Sequence, residues 1–222
     1  MNWPATEPEL VSTQHALAQA TPPPWTPPDT CLVGGVWVCF PRDLSGTGSA
    51  GDRAWGAAVV IDHGGVVGRC LVPGHASASY VPGLLALRLG PLLEDVVRRL
   101  EPQPDVLLLD GTGRDHPRRA GLALHLGAVL DLPTVGVTHR PLTASGEWPA
   151  DVPGAMSPLF IGPDQVAMWL RTRPGTRPLV VHPGWRTDLT TAVAVVSRCL
   201  AGRRTPEPLR RARQAARLLR GP

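Results

Sequence analysis

Two short segments combine residue types that suit contact with a nucleotide. Asp110-Gly111-Thr112-Gly113 directly follows the apolar stretch Val106–Leu109, so a carboxylate and two glycines stand at the end of a predicted buried strand. Glycines allow tight turns and close approach of a ligand to the backbone. Tyr80-Val81-Pro82 places an aromatic ring and a rigid apolar pair where a helix is predicted to begin, and such wedges insert between bases. Taken alone, the two segments are explained more simply as a helix cap and a glycine turn.

The C-terminal segment carries the excess positive charge. All 22 basic residues are Arg, and residues 198–222 hold eight of them against Glu207 alone. In the predicted helix Thr205–Leu219, apolar and basic residues form neighbouring stripes at helical spacing. The basic stripe would contact phosphates in a salt-dependent way, or it is the solvated face of an amphipathic helix. The apolar stripe is Leu209, Ala212, Ala216 and Leu219, and the basic one is Arg210, Arg213, Arg217 and Arg220, with Arg211 added.

Longer motifs follow one another along the chain. They are residues 79–88 (SYVPGLLALR), 110–121 (DGTGRDHPRRAG), 125–127 (HLG), 132–137 (LPTVGV) and 184–192 (GWRTDLTTA). In this order and at these spacings they resemble the endonuclease V family, whose segments read P-Y-I-P-G-L-L-x-F-R-E, D-G-x-G-x-x-H-P-R-x-x-G and G-H-R-x-D-L-x-T-A. The resemblance is collinear from about Val33 to Leu218.

The resemblance implies a nucleic-acid ligand. In the family, the aromatic wedge separates the strands beside a deaminated base, and backbone groups near the glycine-bearing segment hold the extruded hypoxanthine. For this chain it implies binding of DNA or RNA, inosine-containing, by a monomer. The positions that would contact nucleic acid are Tyr80, Val81, Pro82, Gly83, Gly111, Gly113, His116 and Arg118.

The family's metal-binding and catalytic positions are largely replaced in this chain. Family members cut the backbone with carboxylates that hold magnesium, and of these Asp110 is retained. Trp37 stands where the first carboxylate is expected, and Leu89 where the second is. The catalytic Lys is His139, and the His of G-H-R is Trp185.

These replacements predict a weak magnesium site or none. A single carboxylate holds the ion poorly, because magnesium gives up its water reluctantly. The resemblance would bring Trp37, Leu89 and Trp185 together around Asp110 as an aromatic-lined apolar pocket. A rearranged site is the alternative, and its candidate ligands are Asp43, Glu94, Asp95, Asp115 and Asp188.

The elements that position these residues follow the order β-β-β-α-β-α-β, with further strands and helices after them. Three antiparallel strands followed by helix-linked parallel ones predict an α/β fold with a ribonuclease H-like mixed sheet flanked by helices, of the endonuclease V type. Residues 1–30 are predicted as an N-terminal helix and a proline-rich connector, and residues 31–222 as the endonuclease V-like domain. Predicted strands are Leu32–Phe40, Ala54–Ile61, Val66–Val72, Val106–Leu109, Thr134–Val137, Val166–Arg171 and Leu179–Val181; predicted helices are Thr6 to about Ala20, Val81–Leu100, 117–130, Asp188–Leu200 and Thr205–Leu219.

Composition predicts a cytoplasmic protein without a membrane partner. Residues 1–30 lack the basic start and apolar core of a secretory signal, and no apolar run approaches the length needed to span a membrane. The four cysteines show no CxxC spacing and mostly lie in apolar runs, which indicates buried thiols in a reducing compartment.

Three functions are compatible with these residues. The favoured one is an endonuclease V homologue that binds inosine-containing or distorted nucleic acid, with cleavage impaired, so that the chain is a pseudoenzyme. The second is an active magnesium-dependent deoxyinosine endonuclease of DNA repair with rearranged ligands. The third is a repurposed apolar pocket that binds a small aromatic ligand.

Overall fold

The computed structural model describes residues 3–44, 46–63 and 65–221, and an eight-stranded sheet lies at its centre. The strands are β1 Val33–Cys39, β2 Arg53–Asp62, β3 Gly65–His75, β4 Val106–Leu109, β5 Thr134–Thr138, β6 Met156–Ile161, β7 Asp164–Leu170 and β8 Leu179–Pro183. They lie in the order β3-β2-β1-β4-β5-β8-β7-β6. The first three are antiparallel, β1, β4 and β5 run parallel, and β8, β7 and β6 are antiparallel again. The predicted ribonuclease H-like mixed sheet is confirmed.

Helices cover both faces of the sheet. They are α1 Glu7–Gln19, α2 Leu85–Arg98, α3 Leu122–Leu130, α4 Leu189–Arg198 and α5 Glu207–Arg220. The central strand β4 shows how the two layers form. Leu107 and Leu109 pack in the cluster that contains α2 and α3, while Val106 and Leu108 pack in the cluster that contains α4. Because β4 is buried on both sides, its sequence is apolar without alternation.

Helix α5 crosses β1 at very close range. A Cβ atom on Gly35 would stand 2.3 Å from the carbonyl carbon of Pro208, so only glycine permits this approach. The predicted apolar stripe of α5 faces the sheet, with Leu209, Ala212 and Ala216 buried. The crossing therefore places the C-terminal helix over the strand that carries Trp37.

Three predicted elements differ from the structure. The helix predicted over 117–130 begins at Leu122, because Arg119 has a positive φ of 57° and Gly121 is extended. The helix predicted from Val81 begins at Leu85, because the chain up to Leu84 forms a loop. Strand β6 was not expected, since its sequence contains Pro158; as an edge strand it tolerates a proline.

The N-terminal helix packs against α3 and α2. Thr6 caps it, and the Glu9 carboxylate accepts the Thr6 backbone N–H, as the predicted capping box requires. Residues 21–28 form neither helix nor strand. Within the described residues, no helix is long and apolar enough to cross a membrane. The boundary of the main domain at residue 31 stays a prediction.

Candidate nucleic-acid interface

A cleft of about 290 Å³ opens at the carboxyl ends of β1 and β4. Val36 of β1 pairs with Leu109 of β4, and the two strands are parallel. The next residues of the two strands, Trp37 and Asp110, therefore lie side by side. Leu89 reaches the same cleft from α2. The structure therefore brings Trp37, Leu89 and Asp110 together between mainly apolar walls, as the sequence predicted.

Asp110 is the only carboxylate among the described residues that line this cleft. Asp110 is exposed by its surface area, but the protein atoms packed around its carboxyl group still restrict its hydration. This loss of hydration raises the pKa of Asp110 to about 6, against the opposing influence of the positive charge of Arg213. Asp110 is therefore largely ionised at pH 7 and takes up a proton in mildly acidic solution.

Arg213 lies beside the cleft, where the sequence did not place it, and its charge acts on Asp110. Its guanidinium carbon lies 5.3 Å from the centroid of the Trp37 ring, a cation–π distance. The basic stripe of α5 contains Arg213, but the stripe alone does not show which strand the helix crosses. The other members behave differently: Arg210 pairs with Glu207, and Arg220 donates to the carbonyl of Phe40.

Tyr80 and Val81 form an exposed wedge at the rim of the cleft. Their exposed fractions are 41% and 44%, which is high for large apolar side chains. Tyr80 lines the cleft together with Asp110. Its backbone N–H donates to the carbonyl of Gly48 at 3.1 Å, which ties the wedge to the loop between β1 and β2. The helix-cap interpretation of Tyr80 does not hold, because α2 begins five residues later and has no side-chain cap.

The carbonyl of Gly83 is the anchor of the wedge loop. Gly83 has a φ of +79°, which favours glycine, and its carbonyl accepts three side-chain hydrogen bonds. The donors are Arg118 Nη2 at 2.8 Å, His116 Nε2 at 3.1 Å and Gln14 Nε2 at 3.2 Å. Gln14 also accepts from Arg118 Nε, so α1 and residues 116–118 hold the loop jointly.

His116 and Arg118 thus hold the wedge loop in place through the Gly83 carbonyl. His116 is 4% exposed, and burial lowers its pKa to about 4, so the ring is neutral. Its Nδ1 accepts the backbone N–H of Arg118 at 3.2 Å, which leaves the proton on Nε2 for Gly83. Sequence reasoning predicted direct nucleic-acid contact for both residues; their hydrogen bonds in the structure position the loop.

A second cavity, of about 200 Å³, lies on the other side of the wedge. Residues 80–83 form one wall and residues 110–112 another, with His116, Leu122 and Leu142 among the remaining lining residues. Asp110 and Tyr80 line both the cleft and this cavity. A ligand bound in the second cavity would therefore extend past Asp110 toward the cleft.

The two glycines of the Asp110–Gly113 segment have different surroundings. A Cβ on Gly113 would stand 2.0 Å from the carbonyl oxygen of Pro183, so packing against β8 requires this glycine. Gly111 lines the second cavity, and a Cβ there would meet the Leu122 side chain at 3.1 Å. Gly113 fits the interpretation as a structural turn, and Gly111 stays a candidate for contact with a ligand.

The described geometry matches a known family. The family model for endonuclease V matches residues 22–214. The chain belongs to the endonuclease V family. An endonuclease V from Streptomyces avermitilis is 39% identical over 214 residues, which cover 95% of this chain and 90% of the relative.

Two solved structures of the family share the fold. The crystal structure of the endonuclease V from Streptomyces avermitilis has a TM-score of 0.87 at 38% identity and covers 98% of this chain and 94% of its own. An endonuclease V from Ciona intestinalis has a TM-score of 0.78 at 24% identity over 96% of both chains, a likeness of fold alone.

The prediction that Trp185 lies beside Asp110 is wrong. Strand β8 runs antiparallel to β5, so the residues after β8 lie at the opposite edge of the sheet from the cleft. There the Trp185 backbone N–H donates to Thr134 Oγ1 at 2.8 Å, and its indole N–H donates to Asp131 at 3.3 Å. Trp185 is thus a packing residue against α3.

His139 follows β5 and lies at the same edge as Asp110. Its Nδ1 accepts a hydrogen bond from Arg204 Nη2 at 3.1 Å. Burial lowers the pKa of His139, and the charges of Arg204, Arg213 and Arg177 lower it further. His139 is therefore neutral at pH 7, whereas a Lys at this position would carry a charge.

The magnesium that the family resemblance implies does not fit this site. The neighbours of Asp110 in the cleft are mainly apolar, and the charged one is Arg88, a cation that pairs with Asp52; the Arg213 guanidinium lies beside the cleft. In the part of the chain that the structure describes, no three His, Cys, Asp or Glu side chains are grouped to hold a metal. The carboxylates considered for a rearranged site bind other groups or lie on the surface. Asp115 accepts hydrogen bonds from residues 142–144, and Asp188 accepts one from Thr191. Glu94 and Asp95 form salt bridges with Arg98 and Arg99, and Asp43 is exposed in a loop.

Proposed function

We propose that this endonuclease V homologue binds inosine-containing or distorted nucleic acid and that its cleavage of the backbone is impaired. One observation carries the proposal: the exposed wedge at Tyr80 and Val81 borders two cavities in which Asp110 is the only carboxylate among the described lining residues. The Ciona intestinalis relative was crystallised with a DNA that contains an inosine, and the shared fold supports a ligand of this kind here.

Binding would use the wedge and the cavity in sequence. Tyr80 and Pro82 separate neighbouring bases, and their new contacts offset an unstacking cost of a few kcal/mol. The displaced base then enters the cavity beside Gly111, where backbone groups are close enough to bond its edge. The Gly83 anchor holds the wedge in place, so less ordering is required on binding.

Cleavage would lack its cation and its acid–base groups. Hydrolysis of a phosphodiester in this family needs a metal to stabilise developing charge and to activate water. Trp37 and Leu89 supply no ligand, and His139 is neutral and occupied by Arg204. Arg213 cannot take up a proton from water, because a guanidinium stays protonated. The described residues therefore support binding of nucleic acid, whereas the replaced positions do not support cleavage of its backbone.

Fluorescence anisotropy with matched duplexes tests the proposal. One duplex carries a single deoxyinosine and the other a deoxyadenosine at the same place, and both are measured without divalent metal. The parent should prefer the inosine duplex. Tyr80→Ala should weaken that binding by about 5- to 150-fold, since stacking of one base on an aromatic ring contributes about 1–3 kcal/mol.

Val67→Ala is the matched control, because Val67 is 48% exposed on the outer strand β3 and does not line either cavity. It should bind like the parent. Equal affinity of Tyr80→Ala and the parent would remove the wedge from the proposal. No binding of any oligonucleotide by the parent would remove the nucleic-acid function altogether.

The same protein preparation separates the two other functions. Metal-dependent nicking that disappears in Asp110→Ala would establish an active endonuclease with rearranged ligands. Saturable binding of small aromatic compounds in the apolar cleft, without oligonucleotide binding, would establish a repurposed pocket. An inosine-containing RNA measured beside the DNA decides between the two nucleic acids. The monomeric state and the cytoplasmic location are part of the proposal, and gel filtration and cell fractionation test them.

A further inference from the structure

We propose that Arg213 supplies the positive charge at this site in place of a metal ion and binds a phosphate of the nucleic acid directly. The inference rests on the proposed nucleic-acid binding and adds to it a residue, a ligand group and independence from divalent metal. It assigns the cleft beside Trp37 to the backbone of the nucleotide whose base occupies the second cavity.

The first support is the free bonding capacity of Arg213. Its Nε is buried without a hydrogen-bond partner among the described residues, and no described carboxylate lies within salt-bridge distance of it. On the same helix, Arg210 and Arg211 both pair with Glu207. The Trp37 ring packs against one face of the guanidinium, and this cation–π contact uses none of its N–H donors.

The second support is the concentration of positive charge at this edge of the sheet. Arg204 Nη2 lies 3.1 Å from His139 Nδ1, and the charges of Arg204, Arg213 and Arg177 add to burial in lowering the pKa of His139, so three positive charges lie near this ring. Arg204 also donates to the carbonyl of Arg177 at 3.0 Å, which fixes its position. Among the described residues that line the cleft, Asp110 is the only carboxylate that faces these charges, and Arg88 is a further cation, paired with Asp52. A divalent cation would be repelled by this surface, whereas a phosphate would be attracted.

The third support is the path that a bound nucleotide must follow. Asp110 and Tyr80 line both cavities, so the sugar of a base seated in the second cavity lies at Asp110 and its phosphate enters the cleft. Arg213 lies beside the cleft, over the Trp37 ring, and its positive charge acts on Asp110. A planar guanidinium offers two parallel N–H donors to phosphate oxygens, which gives both charge and orientation.

Anisotropy titrations with the deoxyinosine duplex test the inference, with EDTA in one series and millimolar magnesium in the other. The parent should bind equally in both. Arg213→Gln should lose about tenfold to a hundredfold in affinity, as expected for one charged hydrogen-bonded contact. Arg213→Lys should recover part of the loss, because it keeps the charge. Arg211→Gln is the matched control: it removes the same charge from the same helix, but Arg211 lines a different cavity, and the loss should stay below about threefold.

A set of duplexes locates the phosphate, each with one neutral methylphosphonate linkage near the inosine. One of these linkages should weaken binding to the parent about tenfold and leave binding to Arg213→Gln unchanged, since the contact is already absent. A purely structural role of Arg213 would give additive losses at every linkage and would overturn the inference. So would a parent that needs magnesium to bind, or equal losses in Arg213→Gln and Arg211→Gln. If the parent binds no oligonucleotide at all, the proposed function itself fails, a result distinct from these.

Discussion

Asp115 holds residues 142–144, part of the loop that borders the second cavity, and its substitution should lower the free energy of unfolding. The side chain has no exposed surface and accepts four hydrogen bonds. Oδ1 accepts from the Thr143 N–H at 2.8 Å, the Thr143 hydroxyl at 3.0 Å and the Ala144 N–H at 2.8 Å, and Oδ2 accepts from the Leu142 N–H at 2.8 Å. Leu142 lines the cavity, so this carboxylate links stability to the site.

Asp115→Asn keeps the volume and removes the charge. The new amide group turns a donor toward the Leu142 N–H, so one charged hydrogen bond, worth about 1.5–3 kcal/mol, is lost. The three bonds at Oδ1 become neutral and weaken by up to about 1 kcal/mol each. The free energy of unfolding should therefore fall by about 3–5 kcal/mol. This is a large part of the total free energy of unfolding of a domain, which is about 5–15 kcal/mol.

Urea denaturation at several pH values is the assay. Burial opposes ionisation of Asp115, but the hydrogen bonds from residues 142–144 and the nearby His182 outweigh it and lower the pKa. Because the folded-state pKa lies below the unfolded value of about 3.9, the stabilisation is complete above that value and is lost as pH falls through the folded pKa. The difference between parent and Asp115→Asn should thus be constant near neutral pH and shrink below about pH 4.

Thr143→Val is the control, since it removes only the hydroxyl bond and should cost about 1 kcal/mol. A loss below about 1 kcal/mol for Asp115→Asn at pH 7 would refute the reasoning. A loss that does not change with pH would show that the charge of Asp115 contributes nothing.

Two further predictions concern the loop glycine and the cleft carboxylate. Gly83→Ala should lower the free energy of unfolding by about 1–2 kcal/mol, because Gly83 has a φ of +79°, and it should also weaken inosine binding. Gly154→Ala is the control, because Gly154 has a φ of +83° and no atom within 4 Å of an added Cβ. It should lower the stability by a similar amount and leave binding unchanged. Denaturation and anisotropy check both, and unchanged binding in Gly83→Ala would contradict the anchor. Asp110→Asn should be more stable than the parent at pH 8 and equal to it below about pH 4, since ionisation of Asp110 opposes folding as pH rises through its raised pKa of about 6. A parent that is the more stable protein at pH 8 would contradict the raised pKa of Asp110.

The sequence predicted much of the cleft because its residues belong to short, strongly patterned strands. Val106–Leu109 is apolar throughout, which identified a buried strand and placed Asp110 at its end. The collinear motifs then placed Trp37 and Leu89 beside it. Trp185 was misplaced, because a motif does not give the direction of its strand, and β8 runs antiparallel to β5.

The remaining site residues depend on contacts between distant parts of the chain. Arg213 lies beside the cleft only because α5 crosses β1 over Gly35, which no local pattern indicates. The nucleic-acid contact expected for His116 and Arg118 stays a prediction, but the sequence did not indicate that both bond the Gly83 carbonyl, some 33 to 35 residues away. Gln14 joins them from the N-terminal helix at a separation of 104 residues from Arg118.

Nicking of a deoxyinosine duplex by the unmodified, nuclease-free protein decides whether binding has been retained without cleavage. Asp110 is the one carboxylate among the described residues that line the cleft, Trp37 and Leu89 line it too, and Arg213 lies beside Trp37. No nicking above that of Asp110→Ala should appear with magnesium or with manganese, while the same preparation binds the duplex. Robust metal-dependent nicking that Asp110→Ala abolishes would contradict this and would establish a working endonuclease.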